Sequence, residues 1–158
     1  MKIHMYHIRS IFFTQALLFV MFLPACQNGS ETGTEEKHPN TIFIVCHLAN
    51  CSYDLKLVGE LLDRYPNLYA DIGARFAEIC AIPRAARRFL VKYQDRILYG
   101  TDMGRAEEMY RITLRLLETD DEHIYADRFS YHWPLHGLDI PGEVLEKIYR
   151  ANALTIMD

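Results

Sequence analysis

Three short apolar runs, each followed by a stretch patterned as a helix, constrain this chain more than any other feature. Thr41-Ile-Phe-Ile-Val-Cys46 is continuously apolar after its first residue, the mark of a strand buried on both faces. A helix is predicted next, from Tyr53 to Arg64, with Ser52 as its cap and Leu55, Val58, Leu61 and Leu62 at helical spacing. The second run is Asn67-Leu-Tyr-Ala-Asp-Ile-Gly73. Pro83 then opens a helix through Ala86, Phe89, Leu90 and Tyr93. The third is Arg96-Ile-Leu-Tyr-Gly-Thr-Asp102, followed by a predicted helix over 104–118 with Met109, Ile112, Leu116 and Leu117 on one face. A last helix begins at Pro141 and turns Val144, Leu145, Ile148 and Tyr149 inward. Successive β-then-α units dictate a parallel sheet with right-handed crossovers, so the fold class is α/β.

Each run ends in a polar group: His47, Asp71 and Asp102. In parallel α/β folds ligands bind in the crevice outside the strands' C-terminal ends. The three side chains are therefore the candidate site. For Asp102 a second reading stands beside this one, in which it caps the helix that follows. Arg75 has three readings: a partner for Asp71, a reach toward an anionic substrate, or a solvated charge. Tyr131 and Trp133 read as packing at the strand tips. His132 and His136 are four apart, but Pro134 between them disfavours the helix that would put them on one face.

Cys46, within an apolar run, reads as a small buried hydrophobe. Cys46 and Cys51 lack CxxC spacing, which argues against a zinc ribbon. An oxidising compartment permits a Cys51–Cys80 disulfide without requiring one.

The N-terminal segment does not belong to the fold. Lys2 and Arg9 precede an apolar stretch from Ile11 to Leu23, too short for a comfortable membrane span and suited to a signal peptide over 1–25. It ends in Leu23-Pro-Ala-Cys26, which resembles a bacterial lipobox with Cys26 as the lipidated residue. An ordinary cleaved signal and a single N-terminal anchor are the alternatives. Residues 26–40 are mostly polar and without an apolar face, a flexible tether to a body over 41–158. The expectation is an exported, lipid-anchored protein of the cell envelope. Formal charge is −4, with no Lys/Arg run, so no nucleic-acid partner is expected.

Taken together, four pieces resemble the amidohydrolase-related family, the metal-dependent (β/α)8-barrel hydrolases and decarboxylases of the second amidohydrolase group. They are His38-Pro-Asn with Phe-Ile-Val-Cys-His47, Tyr65-Pro-Asn-Leu-Tyr-Ala-Asp-Ile-Gly73, Asp95-Arg-Ile-Leu-Tyr-Gly-Thr-Asp102, and Leu138-Asp-Ile-Pro with Leu-Glu-Lys-Ile-Tyr-Arg-Ala-Asn152. The resemblance implies a partial TIM barrel: three β/α units, strands six to eight, plus C-terminal helices. It implies a divalent metal, zinc first, with His47 as ligand or acid/base. Asp102 would bind the metal and take the proton of an attacking water, whose pKa a metal draws toward about 7. Asp71 and Arg75 would stand behind the ligands.

A full barrel takes about 250 residues and eight strands. The family's His-x-His on strand one and its strand-five His have no counterpart in this sequence. His47 and Asp102 supply two ligands where catalytic zinc usually takes three. Two functions are therefore expected. One is a metal-dependent hydrolase or carboxy-lyase acting on a small molecule, incomplete and weak or inactive as this chain alone, with the metal present by family or absent here. The other is a non-catalytic remnant or interaction module, whose open sheet edges are covered by a second copy or a partner chain.

Overall fold

The computed structural model describes residues 38–157 except Met103, Arg105 and Ser130. The expected signal over 1–25, the lipidation at Cys26 and all but the last three residues of the expected tether lie outside the described residues.

Three parallel strands form the sheet in sequence order: β1 (Phe43–Val45), β2 (Leu68–Asp71) and β3 (Ile97–Leu98). Val45 lies opposite Ala70, and Asp71 opposite Leu98, so the strands finish almost level. The strands are shorter than their apolar runs because pairing ends where polar groups and turns take over. Phe43, Val45, Leu68, Ala70, Ile97 and Leu98 are buried, but Ile44, Tyr69 and Asp71 are only partly so. This leaves one face of β1 and β2 less covered than the two-sided burial expected from the continuous apolar run.

The connections are helical. Between β1 and β2 lies α1 (Leu55–Arg64); between β2 and β3 lie the short α2 (Phe76–Ile79) and α3 (Pro83–Lys92). After β3 come α4 (Glu107–Glu118), then α5 (Gly142–Glu146), a π turn (Lys147–Ala151) and α6 (Asn152–Met157). Helix α1 starts at Leu55, not Tyr53. Asp54 caps it by accepting from Leu57 N at 3.0 Å, where Ser52 was expected to act. Val58 and Leu62 of α1 and Ala86, Phe89 and Leu90 of α3 sit in the same core. Gly59 is fixed by packing: a Cβ there would meet Tyr93 Cζ at 2.9 Å. The segment from Tyr131 to Gly137 is non-helical and is held to the preceding loop through an Ile124–Leu135 antiparallel bridge.

Side chains tie the strands where they begin. The Arg96 guanidinium donates to the carbonyls of Leu62, Tyr65, Pro66 and Leu68, capturing the end of α1 and the start of β2 together. Asn67 Nδ2 donates to Thr41 O at 2.7 Å and His38 O at 3.1 Å. Buried Asn152 donates to Ile97 O at 2.8 Å and Gln94 O at 2.7 Å, locking α6 to β3. Cys51 and Cys80 are buried thiols that no disulfide joins. Burial pushes the Cys80 thiol far up.

Candidate functional site

The strands end on backbone that L residues adopt reluctantly. Residues 46–50 form a tight turn in which His47, Leu48, Ala49 and Asn50 all have φ between 51° and 58°. Each left-handed non-glycine residue costs about 1–2 kcal/mol, Asn somewhat less. Such strain persists only where the surroundings over-determine it. Here Leu48 is fully buried beneath the turn, and His47 N–H donates to Asp71 Oδ1 at 3.0 Å. Cys51 N closes the turn on Leu48 O at 2.9 Å. Ala74 and Asp102, at the ends of the other two runs, share the left-handed conformation.

This backbone brings the three polar strand tips together. His47 Nδ1 lies 2.9 Å from Gly73 O. A carbonyl only accepts, so Nδ1 carries a proton, and in the neutral imidazole the lone pair is then on Nε2. Nε2 faces Asp102 Oδ2 at 3.6 Å. Asp71 Oδ1 accepts from both His47 N and Gly73 N, the latter at 2.8 Å. Asp71 therefore organises backbone, while Asp102 is free to act. Their exposures follow suit: 22% for the His47 side chain, 21% for Asp71 and 60% for Asp102.

Gly73 sits at the centre. A Cβ on it would lie 3.0 Å from Asp71 Oδ1, 3.4 Å from Asp102 Cβ and 3.5 Å from His47 Nδ1. A side chain there would crowd Asp71 Oδ1 and fill the space between the three groups. The string Asp71-Ile-Gly73 carried this signal as a close-approach glycine, but nothing in it named the imidazole as the neighbour.

Several expectations are corrected by this geometry. Asp102 does not cap the following helix: α4 begins at Glu107, with Ala106 at its cap position and no side-chain cap. Arg75 makes no pair with Asp71, nor is it a solvated charge. It donates to Glu78 Oε1 at 2.7 Å and to Asn50 Oδ1 at 3.0 Å, bracing the left-handed turn from outside. Arg75 Nε and Glu78 Oε2 remain buried without hydrogen-bond partners. Cys46 is only partly buried. Its thiol is pushed up first by burial, then by the Asp71 and Asp102 carboxylates. Trp133 meets Tyr131 at a tilt, 4.5 Å between ring centres, and donates to Ala77 O, yet it is 42% exposed, so its ring is not simply packing.

Chemically, a lone pair and a carboxylate oxygen 3.6 Å apart suit two corners of one cation at about 2.1 Å from each. A catalytic centre needs more. Among the described residues no group of three His, Cys, Asp or Glu side chains is placed to hold a metal. Asp71 Oδ1 is already committed to two N–H groups. The residues present fit part of a divalent-metal site and not the whole.

A family model described as Amidohydrolase matches residues 32–156. No curated protein and no solved structure matches the chain.

Proposed function

Since this chain belongs to the amidohydrolase family, we propose that it is an amidohydrolase-type hydrolase component carrying one corner of the reaction centre. Amidohydrolases have a TIM-barrel-type fold and generally use a divalent metal. On this reading β1, β2 and β3 are strands six, seven and eight of such a barrel. The reaction is cleavage of a C–N or C–O bond, or decarboxylation, of a small molecule. Zinc is the metal the reading favours.

The observation that carries the proposal is the approach of His47 Nε2 to Asp102 Oδ2 above Gly73. In this arrangement Gly73 O holds the imidazole in one tautomer. Asp102, the exposed member, accepts a proton from an incoming water or substrate. Asp71 keeps the His47 backbone from relaxing out of its left-handed turn. Arg75 and Asn50 hold the outer side of that turn. Two ligands do not make the centre, so the isolated chain is weak or inactive. A partner chain, or a second copy, supplies the remaining ligand across the open edges of the sheet. The lipobox-like Cys26 favours an exported protein tethered to the cell envelope.

Titration of the full chain with Zn2+ tests the proposal. One weak site is expected, lost in both His47→Ala and Asp102→Ala. Equal binding by wild type and both variants, or none by any, contradicts it.

The second reading, a non-catalytic interaction module, draws on the missing third ligand and on β1, which has no described strand beyond its outer edge. It expects self-association or partner binding that Asp102→Ala leaves unchanged. The metal-centre reading expects that substitution to abolish function.

A further inference from the structure

A groove of about 930 Å³ opens between the start of α3 and the loops bearing Glu122 and His136. It shares no lining residue with the His47–Asp102 pair. Its α3 wall carries Arg84 and Arg88, one helical turn apart and both exposed. Arg87, between them, is occupied elsewhere, donating to Leu138 O and Asp139 Oδ2 at 3.2 Å. Neither Arg84 nor Arg88 has an ion-pair partner among the described residues. The facing wall presents His136, half-buried, whose ring meets His123 edge-on at 5.5 Å. In either tautomer an imidazole offers one N–H donor.

Two guanidinium groups against the single carboxylate of Glu122 leave the groove locally positive in a chain of formal charge −4. The cap position of α3, Ile82, supplies no side-chain bond, and its first turn holds no acid. That adds the positive end of a helix dipole to the same wall. Ala81, Ile82 and Pro83 give the groove an apolar margin, with Ile82 42% exposed.

We propose that this groove binds a phosphomonoester, its dianion held between Arg84 and Arg88 with His136 donating from across, and its organic part against Ile82 and Pro83. Guanidinium groups recognise phosphate through paired N–H donors. A cation does not fit a groove in which two guanidinium groups outnumber the one carboxylate of Glu122.

Calorimetric titration of the full chain with phenyl phosphate and, separately, inorganic phosphate tests the assignment. Saturable binding of phenyl phosphate is expected, weakened at least about tenfold by the double substitution Arg84→Ala/Arg88→Ala. Glu122→Gln is expected to tighten it. Lys56→Ala, which removes an exposed positive charge on α1, is expected to leave it within about twofold. Asp102→Ala should bind phenyl phosphate as wild type does, so that the fate of this site is independent of the metal-corner proposal. Flotation with vesicles containing phosphatidic acid separates the sources. Arg84/Arg88-dependent flotation identifies a lipid headgroup, and its absence alongside phenyl phosphate binding identifies a soluble ester. No saturable phenyl phosphate binding, or a loss in Arg84→Ala/Arg88→Ala no greater than in Lys56→Ala, overturns the proposal.

Discussion

Where the strands begin, the sheet is held by side chains reaching backbone carbonyls; where they finish, it is held by backbone bent into left-handed turns around polar side chains. At the first end Arg96 alone serves four carbonyls, and Asn67 and Asn152 serve two each. At the second end His47, Leu48, Ala49, Asn50, Ala74 and Asp102 all have positive φ. Parallel barrels divide labour in this way, with stability at the strand starts and chemistry at the strand tips. The difference teaches where each kind of substitution should be felt.

The largest effect is expected from Arg96→Ala. It strips the donors from four carbonyls and should cost about 3 kcal/mol of stability, read from the denaturant midpoint. Zn2+ binding per folded molecule should be unchanged. Loss of metal binding without loss of stability would reverse the assignment of the two ends. Gly73→Ala should show the opposite profile. Its Cβ enters the gap between Asp71, Asp102 and His47, costing about 1–2 kcal/mol in stability while abolishing the Zn2+ site. Retained binding in that variant would show that the three groups do not converge on Gly73.

Between the two ends, Tyr99 and Tyr149 meet edge-on at 5.3 Å and bond to Thr113 and Glu118. Both phenols are pushed up, burial first. A raised folded value means stability fully present below the ordinary value of about 10 and lost as pH rises above it. Tyr149→Phe should cost about 1 kcal/mol near neutrality and flatten the alkaline limb of the stability profile. An unchanged limb would place the alkaline sensitivity elsewhere. The smallest effect, and the one of unusual sign, is Ala49→Gly. Removing the Cβ from a left-handed position should raise stability by roughly 0.5–1 kcal/mol. A loss of that size would mean that the turn is not left-handed at Ala49.

Much of this contrast is legible in the residues. The apolar runs ending at His47, Asp71 and Asp102 place a parallel sheet and its strand tips, because successive β-then-α units leave few alternatives to that topology. Helix α3 was readable from Pro83 and its apolar spacing, and it ends at Lys92, one residue before Tyr93. The left-handed turn was not readable. His47-Leu-Ala-Asn50 contains no glycine, and its conformation comes from tertiary capture by Asp71 and burial of Leu48. Nothing in the residues beside Arg96 marks it as a hub. Its four carbonyl partners come from α1 and β2, some thirty residues earlier. Arg75 likewise reaches Asn50 only because the turn swings that side chain outward. Local pattern marks which residues end strands, while long-range contacts decide what those ends face.

The most direct test of the account is the protonation pattern of His47, observed by long-range nitrogen–proton correlation of its imidazole in the full chain. The geometry requires the proton on Nδ1, donated to Gly73 O, and an Nε2 resonance that responds to Zn2+ in wild type but not in Asp102→Ala. A proton on Nε2, or an Nε2 response to Zn2+ that Asp102→Ala leaves intact, would contradict it.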